Sequence, residues 1–346
     1  MQDLTIAVVG ATGAVGTEFL RIMEHRYPNA HQFKLLASQR SAGKQITVNG
    51  RELTVEQTTG DSFQGVDIAF ISVNTAVSHQ FAPVAVQAGA VVIDDGSAFR
   101  MEPTVPLVVP EVNGADVEWH QGIISIPNCS TAPLVMIAHP LMQIRPIVRI
   151  IADTYQSVSG AGGAAIDELR DQTRVVLDGG QVTAQALPDQ IAFNVFPHID
   201  SFLDSGYTRE EQKMINESHK ILHAPDIAIS ATCVRVPVYV SHSAAIHLEF
   251  EQPVSPEAAR EALSQMPGVQ VLDDPANGVY PMPWDAAGKD DVFVGRIRRD
   301  ASCANGLVLW VVSDNLRKGA ALNSIQIAEE LVARNCLKPK SKSASR

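Results

Sequence analysis

Apolar and polar positions alternate along the chain in two different ways. Leu4 to Val9 (LTIAVV) is a short apolar run that stops at Gly10. Beyond GATGAVG, Val15, Phe19, Ile22 and Met23 recur with helical period, so the pattern predicts strand, glycine turn, helix. Further apolar runs at Phe33 to Ala37, Val66 to Val73, Ala90 to Asp94 and Ile123 to Ile126 predict four more strands. Helix-like stretches such as Ser78 to Ala88 lie between some of them. Strands alternating with helices imply a mostly parallel sheet covered on both faces.

After Pro127 the texture changes. Ser130 to Met142 reads as a helix and Arg149 to Tyr155 as a strand, followed by the glycine-rich SVSGAGG at 157–163 and a helix over Ala164 to Leu177. Residues 188–206 are irregular. Thr208 opens a helix, with Glu211 three residues on as a capping box. Cys233 to Val238, Ala244 to Phe250, Val292 to Ile297 and Leu307 to Val312 read as strands of one mixed sheet. A helix starts at Ser255-Pro256. Asn315 to Arg334 is a long final helix, and the polar, basic residues 337–346 are expected to form a disordered tail.

Composition narrows the class. The 346 residues are 45% hydrophobic and 19% charged, with 27 Lys plus Arg against 38 Asp plus Glu, a net charge of −11. Such a surface repels polyanions, which argues against nucleic acid as a partner, while a local Arg or Lys cluster can still hold a small anion. No apolar run reaches the roughly 18 residues of a membrane span, and the N-terminus lacks a signal-peptide pattern. The four cysteines (129, 233, 303 and 336) form no disulfide framework or zinc spacing. A reducing cytoplasm is the expected setting.

Two places carry chemistry. Gly10, Gly13 and Gly16 form G-x-x-G-x-x-G directly between strand and helix. A dinucleotide pyrophosphate needs backbone N–H groups there and no obstructing side chain. Alone the triplet also describes a tight turn. The second strand ends in Ser38-Gln39-Arg40-Ser41, without the acid usual for NAD, and an Arg flanked by hydroxyls suits a 2′-phosphate. Its alternative is a solvated loop. Cys129, in Pro-Asn-Cys-Ser-Thr between a strand and a helix, falls where the helix dipole favours thiolate. Cys233, Cys303 and Cys336 read better as buried structural residues. A thiolate beside a nicotinamide can form a hemithioacetal and pass hydride to the cofactor. His is the usual proton carrier for such a step.

GATGAVG, SQRSAGK (38–44), NCST (128–131), QSVSGAGG (156–163), AFNVFPHID (192–200), EEQKMINESHKIL (210–222), TCVRVPVYVSHS (232–243) and DNLRKGAALNSIQIAE (314–329) occur in one order that resembles the aspartate-semialdehyde dehydrogenase family. The resemblance implies an α/β chain: a Rossmann-type NADP-binding domain over 1–130, completed by the helix at 315–336, and an α+β catalytic and dimerisation domain with a mixed sheet over 131–314, like glyceraldehyde-3-phosphate dehydrogenase. It implies reduction of L-4-aspartyl phosphate by NADPH to aspartate semialdehyde and phosphate, in lysine (diaminopimelate), threonine and methionine biosynthesis. A homodimer, some members pairing further, is implied too.

By the same resemblance Cys129 carries the acyl group, His242 is the acid/base, Gln156 orients the acyl intermediate, and Asn128 belongs to the catalytic turn. Arg235 grips the substrate carboxylate, Glu217 meets its ammonium, and Lys220 with Arg100 holds phosphate. Thr12, Gly13, Ala14 and Val15 lie at the pyrophosphate, with Ser38, Arg40 and Ser41 at the 2′-phosphate. Ser159, Gly160 and Asn315 approach the nicotinamide. Without the resemblance, Arg235 and His242 read as ordinary strand and turn residues, and Glu217 with Lys220 as a solvent ion pair worth ~0.3–0.5 kcal/mol. His219 and His223 read as surface residues, with no metal site.

Ser241 stands where Gly is expected, Asn74-Thr75 where small residues are, and His219 where a small polar residue is. These departures bear on turnover and cofactor preference. Rival readings are an N-acetyl-gamma-glutamyl-phosphate reductase, whose acetylated nitrogen would not need Glu217, and a non-catalytic NADP-binding regulatory protein, which would not need Cys129, Gln156, Arg235 and His242 together.

Overall fold

Every residue of Ile6–Val9 (β1) is buried, as a central parallel strand requires. In the computed structural model, which describes residues 1–338, β1 pairs in parallel with Phe33–Ala37 (β2) on one side. After the surface hairpin Gln45–Val48 (β3) and Arg51–Thr54 (β4), Glu56–Gln57 (β5) extends the sheet beyond β2. On the other side of β1 lie Ile68–Ile71 (β6), Val91–Asp94 (β7) and Ile123–Ser125 (β8). The order β5-β2-β1-β6-β7-β8, all parallel, reverses direction at β1. This is the doubly wound dinucleotide-binding arrangement, whose ligands sit outside the carboxyl ends of the strands. The helices Ala14–Arg26 and Thr75–Gln87 help to cover it, and Phe19 stacks on Phe70 with ring centroids 4.4 Å apart.

The chain divides into two units: Met1–Pro127 with the segment from Ala320 on, and Asn128–Gly319. The expected boundary lay at residue 130, with the whole last helix from 315 in the first unit. Instead Asp314 stops the strand before it. Its carboxylate accepts the N–H groups of Leu316 (2.8 Å) and Arg317 (3.3 Å). A π-helical turn over Arg317–Ala321 follows, and α-helix begins only at Leu322–Ala333. The expected tail lies, from residue 339, outside the described residues.

The second unit is built on six strands, Ile147–Gln156 (β9), Ala228–Arg235 (β10), His242–Phe250 (β11), Val269–Val271 (β12), Val292–Arg299 (β13) and Gly306–Ser313 (β14), in the order β10-β9-β11-β14-β13-β12. β10 was expected at 233–238. It runs earlier, in parallel register with β9, and ends with Arg235 opposite Gln156. β11 runs antiparallel to β9 and starts at His242. Gln156, Arg235 and His242 therefore gather at one end of the sheet. The helices Thr131–Met142 and Arg209–Leu222 belong to the same unit. In the second, Thr208 accepts from the Glu211 N–H while Glu211 accepts from the Thr208 N–H at 2.6 Å, the reciprocal capping box the sequence predicts.

Candidate active site

The glycine turn of the first unit is shaped by what it lacks. A Cβ on Gly10, whose φ is +90°, would lie 2.2 Å from the Ser72 carbonyl oxygen, and one on Gly16 would lie 2.3 Å from the Gly10 carbonyl oxygen. Glycine at both lets the strand, the turn and the helix close on one another. Gly13 precedes the helix Ala14–Arg26 without any side-chain cap, and no acid occupies the first turn. The N–H groups of the first turn, carried by residues such as Ala14 and Val15, have no intrahelical acceptor and suit an anion.

Beside this turn, Thr12 donates to the Ser41 hydroxyl at 3.3 Å. Ser38 and Arg40 are exposed on the 3-10 turn after β2. Asn74 has a local explanation: its side chain accepts from the Val77 N–H and caps the helix Thr75–Gln87, which begins earlier than its apolar pattern suggests. Arg100, also in this unit, is buried and donates to the Asp95 carbonyl oxygen at 2.8 Å.

The second unit's site is made of buried polar side chains. Asn128 fixes the cysteine turn: its side-chain oxygen accepts the Ser130 N–H at 2.8 Å, and its carbonyl accepts those of Thr131 (2.9 Å) and Ala132 (3.1 Å). Cys129, half-buried, thus sits just before the N-terminus of the helix Thr131–Met142. Its backbone side is closely covered, since a Cβ at Gly319 would come within 2.8 Å of the Cys129 Cβ.

Two acids of the helix Arg209–Leu222 hold this turn. Glu217 accepts the Asn128 N–H at 2.6 Å. Glu210 accepts the Asn128 side-chain amide at 2.9 Å and that of Gln156 at 3.4 Å. Glu210 was missed by sequence reading. The signal was available, because Glu210, Met214, Glu217 and Ile221 fall on one helical face and all are buried. Gln156 also donates to the Ser130 hydroxyl at 2.6 Å. Lys220 is half-buried on the same helix.

Arg235 is buried and donates through Nη1 to the Ser157 carbonyl at 2.6 Å, while its Nε has no partner among the described residues. Burial lowers its pKa from the usual value. His242 is buried too, and its Nδ1 receives the Ser157 N–H at 3.0 Å. A backbone N–H only donates, so this contact favours a neutral ring with its lone pair on Nδ1 and its proton on Nε2. Burial, then the Arg235 guanidinium, push its pKa down to about 3. Nε2 has no partner among the described residues, and a Cβ on Gly160 would lie 3.1 Å from it and 3.3 Å from Arg235 Nη1. Gly160 thus leaves open the place on which His242 and Arg235 converge. The Asn315 side-chain oxygen accepts from Ser157 Oγ (3.1 Å), Ser159 Oγ (3.0 Å) and the Ser241 N–H (3.0 Å). Ser241 itself takes a φ of +76°, the region that favours glycine.

Other residues depart from expectation. Cys233 is buried, which raises its pKa, and Cys336 is buried, but Cys303 is half-exposed in a groove with Arg149, Asp153, His247 and Glu249. It follows an exposed turn, so burial does not explain it. His219 is half-buried, with Nε2 2.7 Å from the Ile227 carbonyl oxygen, and His223 ends the helix in the left-handed conformation.

The profile described as "Semialdehyde dehydrogenase, NAD binding domain" matches residues 5–120, and "Semialdehyde dehydrogenase, dimerisation domain" matches 139–318. The chain is 50% identical over 338 residues to the aspartate-semialdehyde dehydrogenase of Bacillus subtilis, covering 95% of this chain and 98% of that one. It is 50% identical over 331 residues to that of Aquifex aeolicus, covering 94% and 97%. Among solved structures, the aspartate semialdehyde dehydrogenase II of Vibrio cholerae complexed with ASA superposes with a TM-score of 0.93 at 43% identity, covering 96% of this chain and 99% of that one. The Candida albicans enzyme with NADP superposes at 0.74 and 28% identity, covering 96% and 100%.

Proposed function

Because the chain belongs to the aspartate-semialdehyde dehydrogenase family, we propose that it interconverts L-4-aspartyl phosphate and L-aspartate 4-semialdehyde plus phosphate with NADP(H), in the cytoplasmic synthesis of lysine, threonine and methionine. The observation that carries this reading is the cysteine turn. Cys129 lies at a helix N-terminus on a loop held by buried Asn128, Glu210 and Glu217, in the unit that gathers Gln156, Arg235 and His242 at one sheet end.

The first unit fits the cofactor. Gly10, Gly13 and Gly16 carry no Cβ, the helix after Gly13 is uncapped, and Ser38, Arg40 and Ser41 offer a guanidinium and hydroxyls to a 2′-phosphate with no carboxylate among residues 38–44. Ser159, Gly160 and Asn315 are assigned to the nicotinamide. When bound, NADPH supplies hydride to the acyl carbon.

The chain's own residues do the rest. The Cys129 thiol gives its proton to His242, and the thiolate forms a C–S bond to the acyl carbon as the C–O bond to phosphate breaks. Arg100 and Lys220 receive the leaving phosphate. Arg235 holds the α-carboxylate, the Glu217 carboxylate faces the ammonium, and Gln156 orients the thioester carbonyl. Donors near Cys129 stabilise the oxyanion. The reduced tetrahedral carbon collapses to aldehyde and thiolate, and His242 returns the proton.

Homodimerisation through the second unit accords with the dimerisation-domain match. One face of its sheet carries partly exposed Ile151, Asp153, Tyr155, His247 and Trp310, an apolar and mixed surface suited to a second copy.

The test is NADPH formation from L-aspartate semialdehyde, phosphate and NADP, with N-acetylglutamate semialdehyde in parallel. Phosphate-dependent turnover of the first alone is expected. Turnover of the second alone overturns the substrate, and silence with both, in protein that binds NADP, overturns catalysis. In the same assay, Arg40→Ala should weaken NADPH about tenfold or more while leaving NADH nearly unchanged. Equal losses contradict the 2′-phosphate role.

A further inference from the structure

We infer that Ser157 is a positioning residue that selects which ring nitrogen of His242 carries the proton. This rests on the reading of His242 as the group that takes the Cys129 proton. Ser157 follows the last residue of β9 and is completely buried. It meets His242 twice: its main-chain N–H lies 3.0 Å from Nδ1, and its hydroxyl oxygen lies 3.0 Å from the same atom. The two contacts favour opposite states. The N–H can only donate, so it stabilises the ring with a bare Nδ1 and a proton on Nε2. In that form Nε2, the atom facing Gly160, has no lone pair to receive a thiol proton.

The hydroxyl works the other way. It lies 3.1 Å from the Asn315 side-chain oxygen, on which the Ser159 hydroxyl and the Ser241 N–H also converge. Three donors fix that amide with its oxygen inward. When Ser157 Oγ–H points to Asn315, a lone pair of the same oxygen faces Nδ1 and can accept from Nδ1–H. The ring then has its lone pair on Nε2. The thiol S–H bond breaks, its proton bonds to Nε2, and the imidazolium donates from Nδ1 to Ser157 Oγ while the thiolate remains on Cys129. Among charged groups, the Arg235 guanidinium on β10 acts against this cation, and the thiolate offsets it. The Ser157 carbonyl in turn accepts Arg235 Nη1 at 2.6 Å, so one residue holds both groups.

The experiment is the pH dependence of Cys129 alkylation by iodoacetamide, read on the Cys129 peptide by mass spectrometry, in the full-length wild type, S157A and H242A. S157A keeps the main-chain N–H and removes only the hydroxyl. It should alkylate about tenfold more slowly at neutral pH, with the profile displaced upward by about one unit, and lose a similar factor in kcat while its NADP affinity stays unchanged. H242A should displace the profile as well. If H242A moves it and S157A does not, the role of Ser157 is overturned and His242 stands. If H242A leaves it in place, the proton-acceptor reading fails and the inference with it. S157G, which also lacks the hydroxyl, gives the same comparison should S157A fail to fold.

Discussion

The two units build their sites from opposite materials. In the first, the turn that would meet the cofactor depends on absent side chains: Gly10 and Gly16 have no room for a Cβ, and Gly13, Ser38 and Arg40 lie open to solvent. In the second, Asn128, Gln156, Ser157, Glu210, Glu217, Arg235, His242 and Asn315 are all buried and tied to one another or to backbone. An anion-binding turn needs close backbone approach and a helix terminus. A proton-handling site needs low dielectric and fixed donors, which only paired, desolvated side chains provide. The difference teaches that the units should fail differently when altered.

The largest effect is expected at Cys129. Cys129→Ala should lower turnover by about 10⁴-fold or more while NADP still binds with wild-type affinity in a fluorescence titration. Comparable losses of binding would erase the division of labour. Gly16→Ala should do the reverse. Its Cβ would press on the Gly10 carbonyl, costing about 1–3 kcal/mol by urea unfolding and most of the nucleotide affinity, while the Cys129 alkylation rate persists.

The pH dependence of stability should separate the units by sign. His242 titrates near 3 in the folded chain against an ordinary 6.5. Its contribution is present above 6.5 and is lost as pH falls toward 3, because the unfolded chain binds the extra proton. Asp94, at the end of β7 and bonded to the Ser78 hydroxyl, is raised by burial to about 6 against 3.8. Its contribution is present below 3.8 and is lost as pH rises through 6. Urea unfolding at pH 4 to 7 should show His242→Gln flattening the acid-side fall and Asp94→Asn steepening it. The same sign for both would contradict the contrast.

The smallest effect is Ser241→Gly. It relieves a positive φ at a non-glycine residue and should stabilise by about 1 kcal/mol, seen as a raised unfolding midpoint. A fall instead would mean that the Ser241 hydroxyl contributes more than the backbone conformation costs.

The two sites were not equally legible in the sequence. The first unit could be read from local pattern, since a glycine turn and its flanking strand and helix are neighbours along the chain. The hairpin of β3 and β4 was still missed, although Asn49-Gly50 between alternating residues marks it, and both residues take positive φ. In the second unit, residues 128, 156, 210, 235 and 242 meet only through strand register, which periodicity does not contain. The family resemblance supplied most of that set. It did not supply Glu210, whose role comes from its contact with Asn128 and Gln156, or the hydroxyl of Ser157. The last α-helix starts late because its opening turn is π-helical over Arg317–Ala321, after Asp314 caps the N–H groups of Leu316 and Arg317.

The most direct test is to mix the protein with L-4-aspartyl phosphate without NADPH, quench in acid, and map the mass of each cysteine peptide. The account predicts one aspartyl group on the Cys129 peptide, absent in Cys129→Ala. An unmodified Cys129 peptide, or an adduct on half-exposed Cys303 instead, would contradict it.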